Sequence, residues 1–152
     1  MLKQYPNNFS ESATLPFLHL AQEQLNGSLT KSAIEYVSNF LKISKIRVYE
    51  VASFYHMFNL DTIGKYCIHV CTTTPCWLKG SDSILKKIEK SLKIKVGDTT
   101  KDNLFTLKEI ECLGACIDAP VVKINKKYYE NLDIKKIDVL INKIKKNKNL
   151  QC

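Results

Sequence analysis

YCIHVCTTTPCWLKG, Tyr66 to Gly80, changes character halfway along. Tyr66–Val70 alternates with the period of two that suits a half-buried strand, and the chain then runs directly into Cys71, three threonines, Pro75 and Cys76. A second stretch repeats the arrangement. LFTLKEI (Leu104–Ile110) reads as a strand and delivers the chain to Cys112, after which ECLGACIDAP (Glu111–Pro120) places Cys116 beyond Gly114. Between the two, Gly80–Leu92 is helical, with Ile84, Leu85, Ile88 and Leu92 in register. Strand, helix, strand predicts a parallel pair with a right-handed crossover. The C-terminal ends of parallel strands lie on one edge of the sheet, so the two cysteine loops are expected to face each other as one four-sulfur site.

Working outward, VVKINKKYYENL (Val121–Leu132) reads as two short strands around Asn125–Lys127, a hairpin. Asp133 opens a last helix in which lysines interleave with Ile137, Val139, Leu140, Ile141 and Ile144. This is an amphipathic helix with a solvated face. Before the first strand, three short helices are predicted. The first, Ser12–Leu25, carries Leu15, Leu18, Ala21, Gln22 and Leu25, tolerates Pro16 near its start, and stops at Asn26-Gly27. Thr30 caps the second, which holds Ile34, Val37, Phe40 and Leu41 on one face. Ser44 caps the third, with Val48, Val51, Ala52 and Phe54 inward. The domain division is thus a helical bundle over residues 1–62 and an α/β unit (α+β in some schemes) over 63–152. Ser12–Phe58 offers more apolar positions than a small sandwich needs, so part of the bundle is expected to bind a partner.

Composition narrows the function. The chain has 152 residues, 45% hydrophobic and 25% charged, enough apolar side chain for a core. Its net charge of +8 comes almost wholly from lysine, Arg47 being the single arginine. A nucleic-acid surface draws on arginine for bidentate contacts, so the charge reads as compositional drift. No apolar run has the length of a membrane span, and MLKQYPNNFSES lacks a signal-peptide core. A cytoplasmic location is expected, where thiols stay reduced and paired cysteines point to metal or redox chemistry before disulfides.

The spacings then weigh the chemistry. Neither cysteine pair has the C-x-x-C spacing of a thioredoxin-type redox site. Structural zinc favours two-residue knuckles, whereas four and three residues separate these pairs, so zinc stays a rival on spacing alone. A 2Fe–2S cluster needs two thiolates on each iron, which two loops of two cysteines match. Its negative charge calls for donors, which the backbone N–H groups of Thr72–Thr74 and Leu113–Ala115 offer, with Gly114 able to take a positive φ. Cys67 and His69 share a strand face with Cys71 and read as a small buried thiol and a satisfied histidine rather than ligands. His19 and His56 fall on predicted helices, Trp77 either shields the site or packs in the core, and Cys152 reads as incidental. No G-x-G-x-x-G follows a strand and no P-loop is present, so a dinucleotide would belong to a different chain.

VCTTTPCWLKG followed by ECLGACIDAP resembles the thioredoxin-like 2Fe–2S ferredoxin family. The resemblance extends over LHLAQEQLNGSLT, AIEYVSNFL, RVYEVASFYHMF and VVKINKKYYENL. It implies a thioredoxin-like 2Fe–2S ferredoxin domain preceded by a small N-terminal helical bundle. It also implies one 2Fe–2S cluster held by Cys71, Cys76, Cys112 and Cys116, and a cis proline at Pro120. The resemblance further implies an electron-transfer subunit carrying that cluster in the NADH-oxidising arm of NADH:quinone oxidoreductase, respiratory complex I. FMN and NADH are then expected on the partner F subunit alone, among other peripheral-arm subunits at the inner membrane, with no nucleic acid and no direct membrane insertion. The complex is a proton-translocating enzyme, but no complete active site is expected in this chain. Relatives serve NAD-linked hydrogenases and formate dehydrogenases, which form the alternative. A structural zinc module and a free-standing ferredoxin are the rivals of other kinds; free ferredoxins are usually acidic, unlike this chain.

Overall fold

Alternation and helical periodicity resolve into six helices and a four-stranded sheet among the described residues, 2–6 and 9–146, of a computed structural model. The chain divides into two compact units, Met1–Ile63 and Gly64–Cys152.

The first unit is helical: α1 (Thr14–Gln24), α2 (Lys31–Leu41) and α3 (Lys45–Phe54), with a 3₁₀ turn over Ser10–Ala13 ahead of α1. Its core gathers Leu18, Leu29, Ile34, Val37, Leu41, Val48, Ala52 and Phe58. Thr30 caps α2 as expected, its hydroxyl accepting from the Ala33 N–H at 3.2 Å. Asn26 and Gly27 close α1 with φ of 57° and 99°.

Three expectations fail here. Ser44 stands at the N-cap of α3 but makes no side-chain cap bond. Phe40 and Phe54 point outward, 47% and 74% exposed. Each sits six residues beyond the first buried position of its helix, Ile34 or Val48, which at 3.6 residues per turn is roughly 120° off the buried stripe. Phe40 instead lies against Phe17, ring centroids 5.1 Å apart. His56 falls in a turn after α3, not on a helix, because α3 ends at Phe54.

The second unit runs β1 (Tyr66–Cys71), α4 (Thr74–Leu78), α5 (Ser81–Leu92), β2 (Phe105–Ile110), β3 (Val122–Ile124), β4 (Lys127–Tyr129) and α6 (Ile134–Lys146). Strand order is β2-β1-β3-β4. β1 and β2 are parallel from Tyr66↔Phe105 to Cys71↔Ile110, and β3 is antiparallel to both β1 and β4. One face of the sheet, with Ile68, Val70, Phe105, Leu107, Val122 and Ile124, packs on Ile84, Ile88 and Leu92 of α5 and on Ile137 and Ile141 of α6. These residues alternate along each strand, the signature of a sheet face turned to a core. Asp133 caps α6, its carboxylate accepting from the Lys136 N–H at 2.7 Å. The hairpin turn takes Asn125 through φ 54°, a conformation asparagine tolerates better than most residues. Cys152 lies outside the described residues.

Candidate metal centre

The four predicted cysteines meet at one end of the β1/β2 pair. Cys71 is the last residue of β1, tied to the sheet by its N–H to the Val121 carbonyl at 3.1 Å. Cys76 lies in α4, a helix of five residues where the sequence pattern predicts a loop. The helix signals are Pro75 in the first turn and Thr73 at the N-cap, both equally at home in a loop. Cys112 follows β2 by two residues, and Cys116 starts a 3₁₀ turn over Cys116–Asp118. Cys71 and Cys76 are each 1% exposed and pack with Ala119 and Val121, with Leu113 and Ala115 partly covering them. Cys112 and Cys116 are exposed.

The sulfurs pair within each loop. Sγ of Cys112 lies 3.3 Å from Sγ of Cys116, and the Gly114 N–H reaches Cys112 at 3.4 Å, from a glycine at φ 79°. Hydrogen bonding from Gly114, then from the Cys116 thiol, holds Cys112 below its ordinary pKa, while the same thiol-to-sulfur bond raises Cys116. In the other pair burial opposes ionisation of Cys71. The Thr73 hydroxyl, 3.2 Å from Sγ, outweighs it together with the Thr73 N–H, the Cys76 thiol and the Leu113 N–H, and Cys71 is lowered. Burial, then the bond to Cys71, pushes Cys76 up to about 11, against a hydrogen bond from the Val121 N–H. In each pair one sulfur is therefore lowered and its partner raised, because one thiol donates to the other. The loops also touch each other, Leu113 and Ala115 packing against the cluster of Cys71 and Cys76.

This donor set fits a cluster of two irons: two sulfur pairs on an apolar bed, each reached by backbone N–H groups. Among the described residues, no three His, Cys, Asp or Glu side chains are grouped as a single metal ion requires. Of the six N–H groups expected as donors, Thr73, Leu113 and Gly114 reach a sulfur, whereas Thr72 gives its N–H to the Ile110 carbonyl at 3.4 Å. Sequence reasoning missed the Val121 donor, since a backbone N–H carries no residue-type signal.

The neighbours sort as follows. Cys67 is buried, its Sγ 3.6 Å from His69 Nε2. His69 departs from the satisfied histidine expected: its Nε2 meets Cys67, but among the described residues no partner reaches its buried Nδ1. Burial, reinforced by Lys123 and Lys108, lowers its pKa to about 4, so it is neutral near pH 7. Trp77 is 55% exposed and donates its Nε1 to Asp82 at 3.1 Å, which rules out the core-packing role. The Ala119–Pro120 peptide is cis, as the resemblance implied. No helix among the described residues is long and apolar enough to cross a membrane.

Residues 1–145 match the family model described as thioredoxin-like [2Fe-2S] ferredoxin. A Rickettsia typhi protein, named as the E subunit of NADH-quinone oxidoreductase, is 60% identical over 141 residues, covering 93% of this chain and 83% of that one. A Dictyostelium discoideum protein named NADH dehydrogenase [ubiquinone] flavoprotein 2, mitochondrial, is 47% identical over 148 residues, covering 97% of this chain and 60% of that one. Among solved structures, an air-oxidized NAD+-reducing [NiFe]-hydrogenase matches with a TM-score of 0.78 and 25% identity over 91% of this chain. The match spans 24% of the hydrogenase chain.

Proposed function

The chain belongs to the thioredoxin-like [2Fe-2S] ferredoxin family, and from that premise we propose that it is the electron-transfer subunit of an NADH-oxidising quinone oxidoreductase. Cys71, Cys76, Cys112 and Cys116 hold one 2Fe–2S cluster in this reading. The observation that carries it is the meeting of two sulfur pairs, one from each of two parallel strand ends, with backbone donors on Cys71, Cys76 and Cys112. When bound, the cluster supplies a one-electron couple. The chain's own part is to fix four thiolates, to keep water from Cys71 and Cys76 through Ala119 and Val121, and to offset negative charge with N–H groups.

Substrate chemistry, FMN and the dinucleotide fall to a partner, the F subunit, and the assembly lies at the inner membrane with other peripheral-arm subunits. The names of the curated relatives, a subunit of NADH-quinone oxidoreductase and a flavoprotein of NADH dehydrogenase, support a multi-subunit NADH-oxidising assembly. In the hydrogenase the same fold occupies about a quarter of a longer chain, which supports a large partner working beside this domain. The helical unit over residues 1–62 is the proposed docking element. It exposes Tyr36, Phe40, Ile46, Tyr49 and Phe54, and aromatic side chains are enriched at interfaces.

Anaerobic purification tests the reading. The chain should contain about two irons and two sulfides, and give a paramagnetic signal when reduced. Dithionite should reduce it alone, NADH only when the flavin-bearing partner is added. Colourless protein with stoichiometric zinc overturns the cluster. Reduction by NADH without partner, or undiminished partner binding after removal of residues 1–62, overturns the division of labour.

A further inference from the structure

Thr73 occupies the N-cap position of α4, with extended backbone at φ −69° and ψ 164°, and its carbonyl accepts the Trp77 N–H at 2.9 Å. A threonine there ordinarily turns its hydroxyl onto a free N–H of the first helical turn. Thr73 makes no such bond. Its Oγ1 lies instead 3.2 Å from Sγ of Cys71. The contrast within the chain is direct, because Thr30, in the same extended N-cap geometry, does cap α2. The two threonines beside Thr73 behave otherwise: Thr72 gives its N–H to the sheet, and Thr74 is exposed.

We propose that Thr73 is a positioning residue of the cysteine site, its hydroxyl donating to the Cys71 sulfur to set the reduction potential of the bound group rather than to cap α4. This rests on the cluster reading above. The chemistry is that of charge. Reduction adds an electron to a group already negative, and a donor on a ligand sulfur stabilises the more negative form. The hydroxyl therefore raises the potential.

Redox titration of the cluster-loaded chain tests this, followed by its paramagnetic signal. Thr73→Val keeps the branched shape and removes the donor. The expected result is a midpoint shifted to lower potential, restored toward wild type by Thr73→Ser and unmoved by Thr74→Val. A capping role predicts the reverse pattern, with reduced thermal stability of the cluster-free chain and an unchanged midpoint. Should Thr73→Val take up no iron, Thr73→Ala is read in its place. Failure of both to take up iron, against normal uptake by Thr73→Ser, also assigns the hydroxyl to the site. An unchanged midpoint in Thr73→Val, or a Thr73→Ser variant no closer to wild type than Thr73→Val, overturns the proposal. Failure of the wild-type chain to bind iron and sulfide overturns the cluster reading instead, so the two failures are distinct.

Discussion

The two halves of the cysteine site have the same chemistry on different scaffolds. Cys71 ends a central strand and Cys76 sits on a helical turn, and both are as buried as the sheet core. Cys112 and Cys116 stand in a loop that reaches solvent, beside Ile117, which is 97% exposed. Strand β1 is paired on both sides, by β2 and β3, so its end is held by hydrogen bonds before any ligand arrives. The second loop hangs from β2, an edge strand, and is secured mainly by turns such as Asp118 N–H to Ala115. The difference teaches that one half of the site belongs to the fold and the other half is added to it.

Loss of any one proposed ligand should act alike in both halves and gives the largest effect. Cys71→Ser, Cys76→Ser, Cys112→Ser and Cys116→Ser are each expected to lose or severely distort the cluster, measured as iron content and as the reduced-state signal. Cys67→Ala should keep both, because Cys67 faces His69 rather than the sulfur pairs. A bleached Cys67→Ala beside an intact Cys71→Ser would break the ligand assignment.

The cluster-free chain should show the contrast most clearly. Cys76→Ser places a hydroxyl among Ala119 and Val121, and a poorly paired buried hydroxyl costs about 1–3 kcal/mol. Cys116→Ser changes an exposed position and should stay within about 0.5 kcal/mol of wild type. Denaturant unfolding of the two variants side by side measures the gap. Equal stabilities would mean that the buried half is no more part of the fold than the exposed one.

Within the open half, Gly114 gives a smaller effect. At φ 79° an alanine is strained, yet its Cβ would meet no atom within 4 Å. The penalty of Gly114→Ala is thus conformational alone, roughly 1–2 kcal/mol in the same unfolding experiment. Because the strain can also pull the Gly114 N–H off Cys112, the variant should alkylate with altered kinetics at Cys112 while Cys71 stays protected.

The buried and exposed halves are not equally legible in the sequence. The strand leading to Cys71 shows itself by alternation, as does β2, and their parallel pairing follows from the helix between them. The hairpin is legible through Asn125, and the start of α6 through Asp133. Helix α4 is not, because five residues hold too little periodicity and its Thr-Pro start also suits a turn. Apolar identity argues for Phe40 and Phe54 inward, although their angular offset from Ile34 and Val48 already points the other way. The ligand candidates are legible from cysteine spacing. The donors are harder: Leu113 lies in a stretch where donors are expected, but Val121 acts through a backbone group brought to Cys76 by tertiary structure, and Thr72 loses its N–H to a sheet bond.

The smallest effect is expected at Trp77, the large side chain next to Cys76 in sequence. Sequence alone allows it to shield the site from water, and a drier site disfavours added negative charge and so lowers the potential. Its surroundings argue against a large contribution. The ring is more than half exposed, and its Nε1 is drawn along the surface to the Asp82 carboxylate on α5. Water is already kept from Cys76 by Ala119 and Val121, which pack on it directly. Trp77→Phe removes one exposed hydrogen bond and leaves a ring of similar plane, so stability should change by about 0.5 kcal/mol. The midpoint potential should stay at the wild-type value, in contrast to Thr73→Val at the start of the same short helix. A shift at Trp77→Phe as large as that at Thr73→Val would assign the potential to solvent access around the buried pair instead of to the hydroxyl on Cys71.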